Sequence, residues 1–142
     1  MTDEPVRGRC LCGAVAFSAA LKSAEMGVCH CGMCRRWTGG VYMYTSIEPA
    51  SLELSGGDQL RFYASSDFGE RGFCSNCGSS LFWRMRDGSG MEVAAQALDD
   101  PSSLPFTAEI WMDDKPANYS FANPTRKSPR DEATSFGESA GG

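Results

Sequence analysis

Hydrophobic and polar residues alternate over short runs through most of this chain, the two-residue period of strands with one buried face. Leu52 and Leu54 alternate with Ser51 and Glu53, and Gly56-Gly57-Asp58 then turns the chain into Leu60-Arg61-Phe62-Tyr63. Val41-Tyr42-Met43-Tyr44-Thr45 is made of strand-forming residue types. Residues 7–18 read as a hairpin, in which a Leu11-Cys12-Gly13 corner joins Arg7-Gly8-Arg9-Cys10 to Ala14-Val15-Ala16-Phe17-Ser18. Further strands are predicted over residues 70–73, 80–85, 91–98 and 107–112. Turn clusters such as Asp87-Gly88-Ser89-Gly90 and Asp99-Asp100-Pro101-Ser102 divide them. Ala94-Ala95-Gln96-Ala97 suits a helical turn equally well. The pattern predicts a mainly β domain of largely antiparallel strands.

The alternation stops near Asn123. Residues 1–122 are read as one domain and residues 123–142 as a polar, loose tail in which Phe136 is the one apolar anchor. A chain of 142 residues is long enough to bury one core. No apolar run reaches the length a membrane helix needs, so no membrane partner is expected. The acidic start Met1-Thr2-Asp3-Glu4-Pro5 lacks the basic and apolar parts of a signal peptide, which favours a cytoplasmic location.

Seven cysteines change the picture. In a reducing compartment a dense cysteine pattern reads as metal binding or catalysis, and an odd number cannot pair fully as disulfides. Cys10-Leu11-Cys12-Gly13 places two sulfurs on one side of an extended chain, with Leu11 facing the other way, into the core. Cys74-Ser75-Asn76-Cys77-Gly78 is a turn that wraps a metal, its glycine allowing the left-handed backbone that closes it. These four thiolates suffice for a closed tetrahedral structural site. Cys29-His30-Cys31-Gly32-Met33-Cys34 offers three more, leaving one position free, the pattern of a catalytic zinc. Spacing alone also lets Cys74 and Cys77 complete either site.

The neighbouring residues carry less signal. His30 is the only histidine, and in an extended segment it points away from Cys29 and Cys31, so ligation is the lesser reading. Arg35 and Arg36 read either as a solvated pair or as groups that offset thiolate charge or hold a ligand carboxylate. Trp37 and Trp83 read as core or rim aromatics. The formal net charge is −5, and two divalent ions on seven thiolates would make it more negative, which excludes a phosphate backbone as natural partner.

Taken in order, Gly8-Arg9-Cys10-Leu11-Cys12-Gly13, Cys29-His30-Cys31 with Cys34-Arg35-Arg36 and Thr38-Gly39, and Arg71 with Phe73-Cys74, Cys77-Gly78-Ser79 resemble the glutathione-dependent formaldehyde-activating (GFA), centromere protein V-like, family. The resemblance runs from about residue 6 to residue 112 and includes Leu98-Asp99-Asp100-Pro101. It implies the β-tent fold of small antiparallel sheets stapled by zinc. It also implies two Zn²⁺ per chain, a structural one on Cys10, Cys12, Cys74 and Cys77 and a catalytic one on Cys29, Cys31 and Cys34. The implied activity is addition of glutathione to formaldehyde or a related aldehyde, a carbon–sulfur lyase in reverse. Zinc on three thiolates is a poor Lewis acid but suits a thiol that binds as thiolate. Arg35, Arg36 and His30 are then the substrate-binding residues, with His30 or Tyr42 protonating the new hydroxyl. The alternative is a non-catalytic zinc-stabilised binding module, its second site closed by His30 or a partner. The sequence leaves a homodimer open.

Overall fold

The computed structural model describes residues 4–130. Among the described residues, eleven strands form two sheets that, with one short α-helix, surround two apolar clusters. The smaller sheet is antiparallel: β1 (Val6–Arg9) pairs with β2 (Ala16–Ala19), and β2 with β5 (Glu53–Ser55). The larger sheet has eight strands in the order β11-β10-β3-β4-β9-β8-β7-β6. Its members are β3 (Met26–Cys29), β4 (Tyr42–Ile47), β6 (Leu60–Ala64), β7 (Gly69–Cys74), β8 (Ser80–Met85), β9 (Met91–Ala94), β10 (Phe106–Ile110) and β11 (Arg126–Lys127). It is mixed, because β10 runs parallel to both β3 and β11. Small antiparallel sheets therefore account for only part of the architecture.

The strands predicted from alternation are present, but the one expected over 91–98 ends at Ala94, where residues 95–97 form a 3-10 turn, and the one expected over 107–112 ends at Ile110. Three elements are additional. Gly27 interrupts the apolar run of β3, yet a Cβ there would stand 2.9 Å from the Tyr44 hydroxyl and 3.1 Å from the Ala108 carbonyl oxygen. The strand needs glycine because two neighbours crowd it. The α1 helix (Gly32–Thr38) is capped at its start by the Cys31 sulfur, which accepts from Cys34 N, and ends at Gly39 with φ 77°. β11 falls inside the segment expected to be a loose tail. Backbone bonds secure it: Ser128 N–H donates to the Glu109 carbonyl and Trp111 N–H to that of Arg130. Phe136 and the rest of the expected tail lie outside the described residues.

The first apolar cluster centres on Val15, Leu81, Phe82 and Val93, all fully buried, and includes Cys10 and Cys74. The second contains Cys29, Cys31, Cys34, Tyr42, Ile110 and Trp111. Each group of cysteines is thus attached to its own part of the core. Among the described residues, no helix is long and apolar enough to cross a membrane.

Candidate functional site

The seven cysteines are unpaired and form two groups. In each, every sulfur lies within 4.8 Å of the others. The first joins Cys10 and Cys12 to Cys74 and Cys77; the second joins Cys29, Cys31 and Cys34. A tetrahedral ion with metal–sulfur bonds of about 2.3 Å sets its sulfurs about 3.8 Å apart. Cys10 and Cys12 Sγ are 3.7 Å apart, and Cys12 and Cys74 Sγ 3.9 Å. Both groups could therefore hold a thiophilic tetrahedral ion.

The first group closes through two turns. Gly13 N–H donates to the Cys10 carbonyl, and Gly13 has φ 83°. Gly78 N–H donates to the Cys74 carbonyl at 2.7 Å, with φ 82°. The segment at Cys10 is a turn and not an extended run, and this corrects the expected place of Leu11. Its N–H donates to Ser79 Oγ and its side chain is 80% exposed, because the turn rotates it outward. Cys12 is exposed and Cys77 half-buried. Asn76 Nδ2 donates to Cys12 Sγ at 3.2 Å, and Ser79 Oγ lies 3.2 Å from Cys77 Sγ. The Ser79 hydroxyl first, then the backbone N–H groups of Ser79 and Cys12, hold the Cys77 thiol down to about 5.

The second group straddles the end of β3 and the start of α1, where the helix returns Cys34 N to within 3.2 Å of Cys31 Sγ. All three sulfur residues are at most 2% exposed. Hydrogen bonds from Cys29 and then Cys34 hold the Cys31 thiol down to about 3, so it is the thiolate of the metal-free cluster. Supplying that proton pushes Cys29 well up, and burial adds to it. In Cys34 the bond from Cys29 pulls downward, but the bond to Cys31 and burial outweigh it and push the thiol up to about 12.

His30 is fully buried and turned away from the sulfurs. Nε2 donates to Glu109 Oε1 at 2.8 Å, and Nδ1 lies 2.7 Å from the Tyr119 hydroxyl. Burial pushes the Glu109 carboxyl up, but the bonds from Thr125 and His30 outweigh it and hold it below its usual value. Arg36 bends back to the Gly32 carbonyl at 3.4 Å, and Arg35 has a buried Nε without a hydrogen-bond partner among the described residues. The cation at the cluster is Arg71, whose Nη1 donates to Cys34 Sγ at 3.5 Å. Sequence reasoning missed it, since a charged residue in a strand reads as outward-facing. Its place in the Arg71, Phe73-Cys74 motif was the available signal.

Tyr42 lies across from Cys29 in the β3–β4 register, and its buried Oη has no hydrogen-bond partner among the described residues. Burial first, then the charges of Glu92 and Cys34, push its phenol well up. Trp37 packs against Tyr42, with ring centres 5.2 Å apart. These two residues touch the cysteine cluster and also line an open cavity of about 730 Å³, whose wall carries Arg9, Ser79, Gln96 and Asp99. Trp83 is a core residue, 2% exposed.

Known proteins place this architecture. The chain matches the model of the glutathione-dependent formaldehyde-activating enzyme family over residues 5–114. It is 34% identical over 126 residues to an uncharacterized lyase of Schizosaccharomyces pombe, across 88% of this chain and 91% of that protein. It is 31% identical over 121 residues to a Halomonas elongata protein provisionally named glutathione-dependent formaldehyde-activating enzyme, across 78% of this chain and 77% of that one. A crystal structure of a Rhodobacter sphaeroides protein superposes with TM-score 0.58 and 25% identity, covering 71% of this chain and 99% of that one. The family match and the identity across most of both lengths agree: this chain belongs to the glutathione-dependent formaldehyde-activating enzyme family.

Proposed function

We propose that this protein is a zinc-dependent enzyme that adds a thiol, glutathione foremost, to formaldehyde or a related aldehyde. In reverse it cleaves a carbon–sulfur bond, which makes it a carbon–sulfur lyase. One observation carries the reading. Cys29, Cys31 and Cys34 bring three sulfurs together without a fourth protein donor among the described residues, and His30 is engaged elsewhere. Zinc on these sulfurs would leave one position for a soft ligand and keep a thiol sulfur there deprotonated at neutral pH.

The chain's own groups suit the remaining steps. Tyr42 keeps its proton at neutral pH and has no competing partner for it among the described residues, so it can act as general acid. As the thiol sulfur bonds to the aldehyde carbon, the carbonyl π electrons move to oxygen and Tyr42 protonates it. The proton released by the thiol restores the phenol. The cavity beside Trp37 and Tyr42 is roomy enough for a tripeptide, and Arg9 and Asp99 on its wall can meet a carboxylate and an ammonium group. Arg35 and Arg36 are not among the residues lining it, which makes Arg9 the better partner for a glutathione carboxylate.

The burial of all three sulfurs favours a second reading, a zinc-stabilised binding module whose two metals are both structural. NMR exchange spectroscopy on mixtures of glutathione and formaldehyde separates the two. The enzyme accelerates exchange between the free and S-hydroxymethyl forms, and Cys31→Ser abolishes the acceleration. Metal-replete protein that leaves the uncatalysed exchange rate unchanged would be a binding module.

A further inference from the structure

We infer that Arg71 is the counter-charge of the three-cysteine cluster and selects an anionic sulfur ligand over a neutral one at its open position, an inference that rests on the enzymatic reading above. Arg71 lies in β7 and is 2% exposed. Arginine is almost never buried to this degree unless paired. Its hydrogen-bond contacts are to sulfur and to a hydroxyl. Nη1 donates to Cys34 Sγ at 3.5 Å, Nε to Ser65 Oγ at 3.1 Å, and Nη2 reaches Met33 Sδ at 3.8 Å. The guanidinium carbon lies 5.1 Å from the centre of the Trp37 ring.

A buried cation needs a negative partner, and here the partner is sulfur. The Ser65 bond and the Trp37 face hold the guanidinium plane, so Arg71 cannot swing into solvent to relieve its charge. Three thiolates on a divalent ion carry one net negative charge, and a thiolate in the fourth position adds a second. A neutral ligand adds none. In a pocket shielded from water a fixed cation beside the sulfurs favours the more negative state. β7 also supplies Cys74, so one strand carries a ligand of the first cluster and the counter-charge of the second. A bulge between Gly72 and Phe73 separates the two positions, and bulges re-aim side chains within a strand.

Cobalt-substituted protein gives the test, with 2-mercaptoethanol as the thiolate probe and imidazole as the neutral one. Both are titrated against the visible bands of the three-cysteine site in the wild type, Arg71→Met, Arg71→Gln and Arg71→Lys. Cobalt content of the four-cysteine site identifies variants that are folded. We expect Met and Gln to weaken 2-mercaptoethanol by about tenfold while imidazole changes less than about twofold. Lys, which keeps the charge, should hold the wild-type preference to within about threefold even if neither neutral variant folds. Equal weakening of both probes, an unchanged ratio in Met and Gln, or loss of the preference in Lys overturns the inference. Wild-type bands that respond to neither probe overturn the enzymatic reading and the inference together. A wild-type response with an unchanged variant ratio overturns the inference alone.

Discussion

The two cysteine clusters differ in the opposite sense from what their expected roles suggest. The four-cysteine group spans the core edge and the surface: Cys10 and Cys74 are buried, Cys12 is exposed, and Asn76 and Ser79 place neutral donors on its outer sulfurs. The three-cysteine group is buried, beside a cation and between aromatic rings. Four thiolates complete a tetrahedron wherever they lie, so the first group can be left partly to solvent and weak hydrogen bonds. Three thiolates would leave a tetrahedral ion one position short, and on the proposed reading that position takes the thiol ligand. Donor number and local charge, not exposure, then separate the closed site from the open one.

The largest effect that could break this comparison is on folding. Cys10→Ser or Cys74→Ser should leave the chain unfolded or insoluble, since a structural zinc contributes on the order of 10 kcal/mol. Cys31→Ser should stay folded by circular dichroism and hold one metal in place of two. Equal loss of structure in all three variants would make both clusters structural.

The next effect is on metal affinity against pH. In the metal-free three-cysteine cluster Cys31 is already thiolate, while Cys29 and Cys34 are pushed up, Cys34 to about 12. A metal must displace those two protons, so its affinity for this cluster should rise about a hundredfold per pH unit across the neutral range. Competition titrations with a chromophoric chelator at pH 6.5, 7.5 and 8.5 measure the slope. A flat profile would show that the protons are already gone.

A smaller effect concerns the support beneath the second cluster. Glu109 accepts from His30 and from Thr125 Oγ1 at 2.6 Å, tying β3, β10 and the segment before β11 together. Glu109→Gln should cost about 1–3 kcal/mol in urea unfolding at neutral pH. It should loosen the three-cysteine site more than the four-cysteine site, read as the order of metal loss to chelator. Leu11→Ser should change stability by less than about 0.5 kcal/mol, because the side chain is 80% exposed.

Much of this was legible in the sequence, for local reasons. Strands 80–85 and 60–64 announce themselves because alternation and turn residues are properties of neighbours in the chain. The two turns at Cys10 and Cys74 follow from close spacing and a glycine. Long-range causes were invisible. β3 looks broken at Gly27 until Tyr44 and Ala108 are seen against it. The α1 helix, seven residues long, has too few turns for a helical period, and β11 is two exposed polar residues held by the backbone of β10. Arg71 and the Glu109–His30–Tyr119 chain are buried charges and hydrogen bonds between residues far apart in sequence. No spacing rule marks them.

Zinc X-ray absorption tests the central claim, that the two clusters differ by one open position, most directly. Zinc-replete protein should average about 3.5 sulfurs per metal, from one site of four sulfurs and one of three with a light atom. Excess glutathione should raise the average to about 4, and S-methylglutathione, which has no thiolate to offer, should leave it unchanged. An average already at about 4 without thiol, or one that glutathione does not move, would contradict the account.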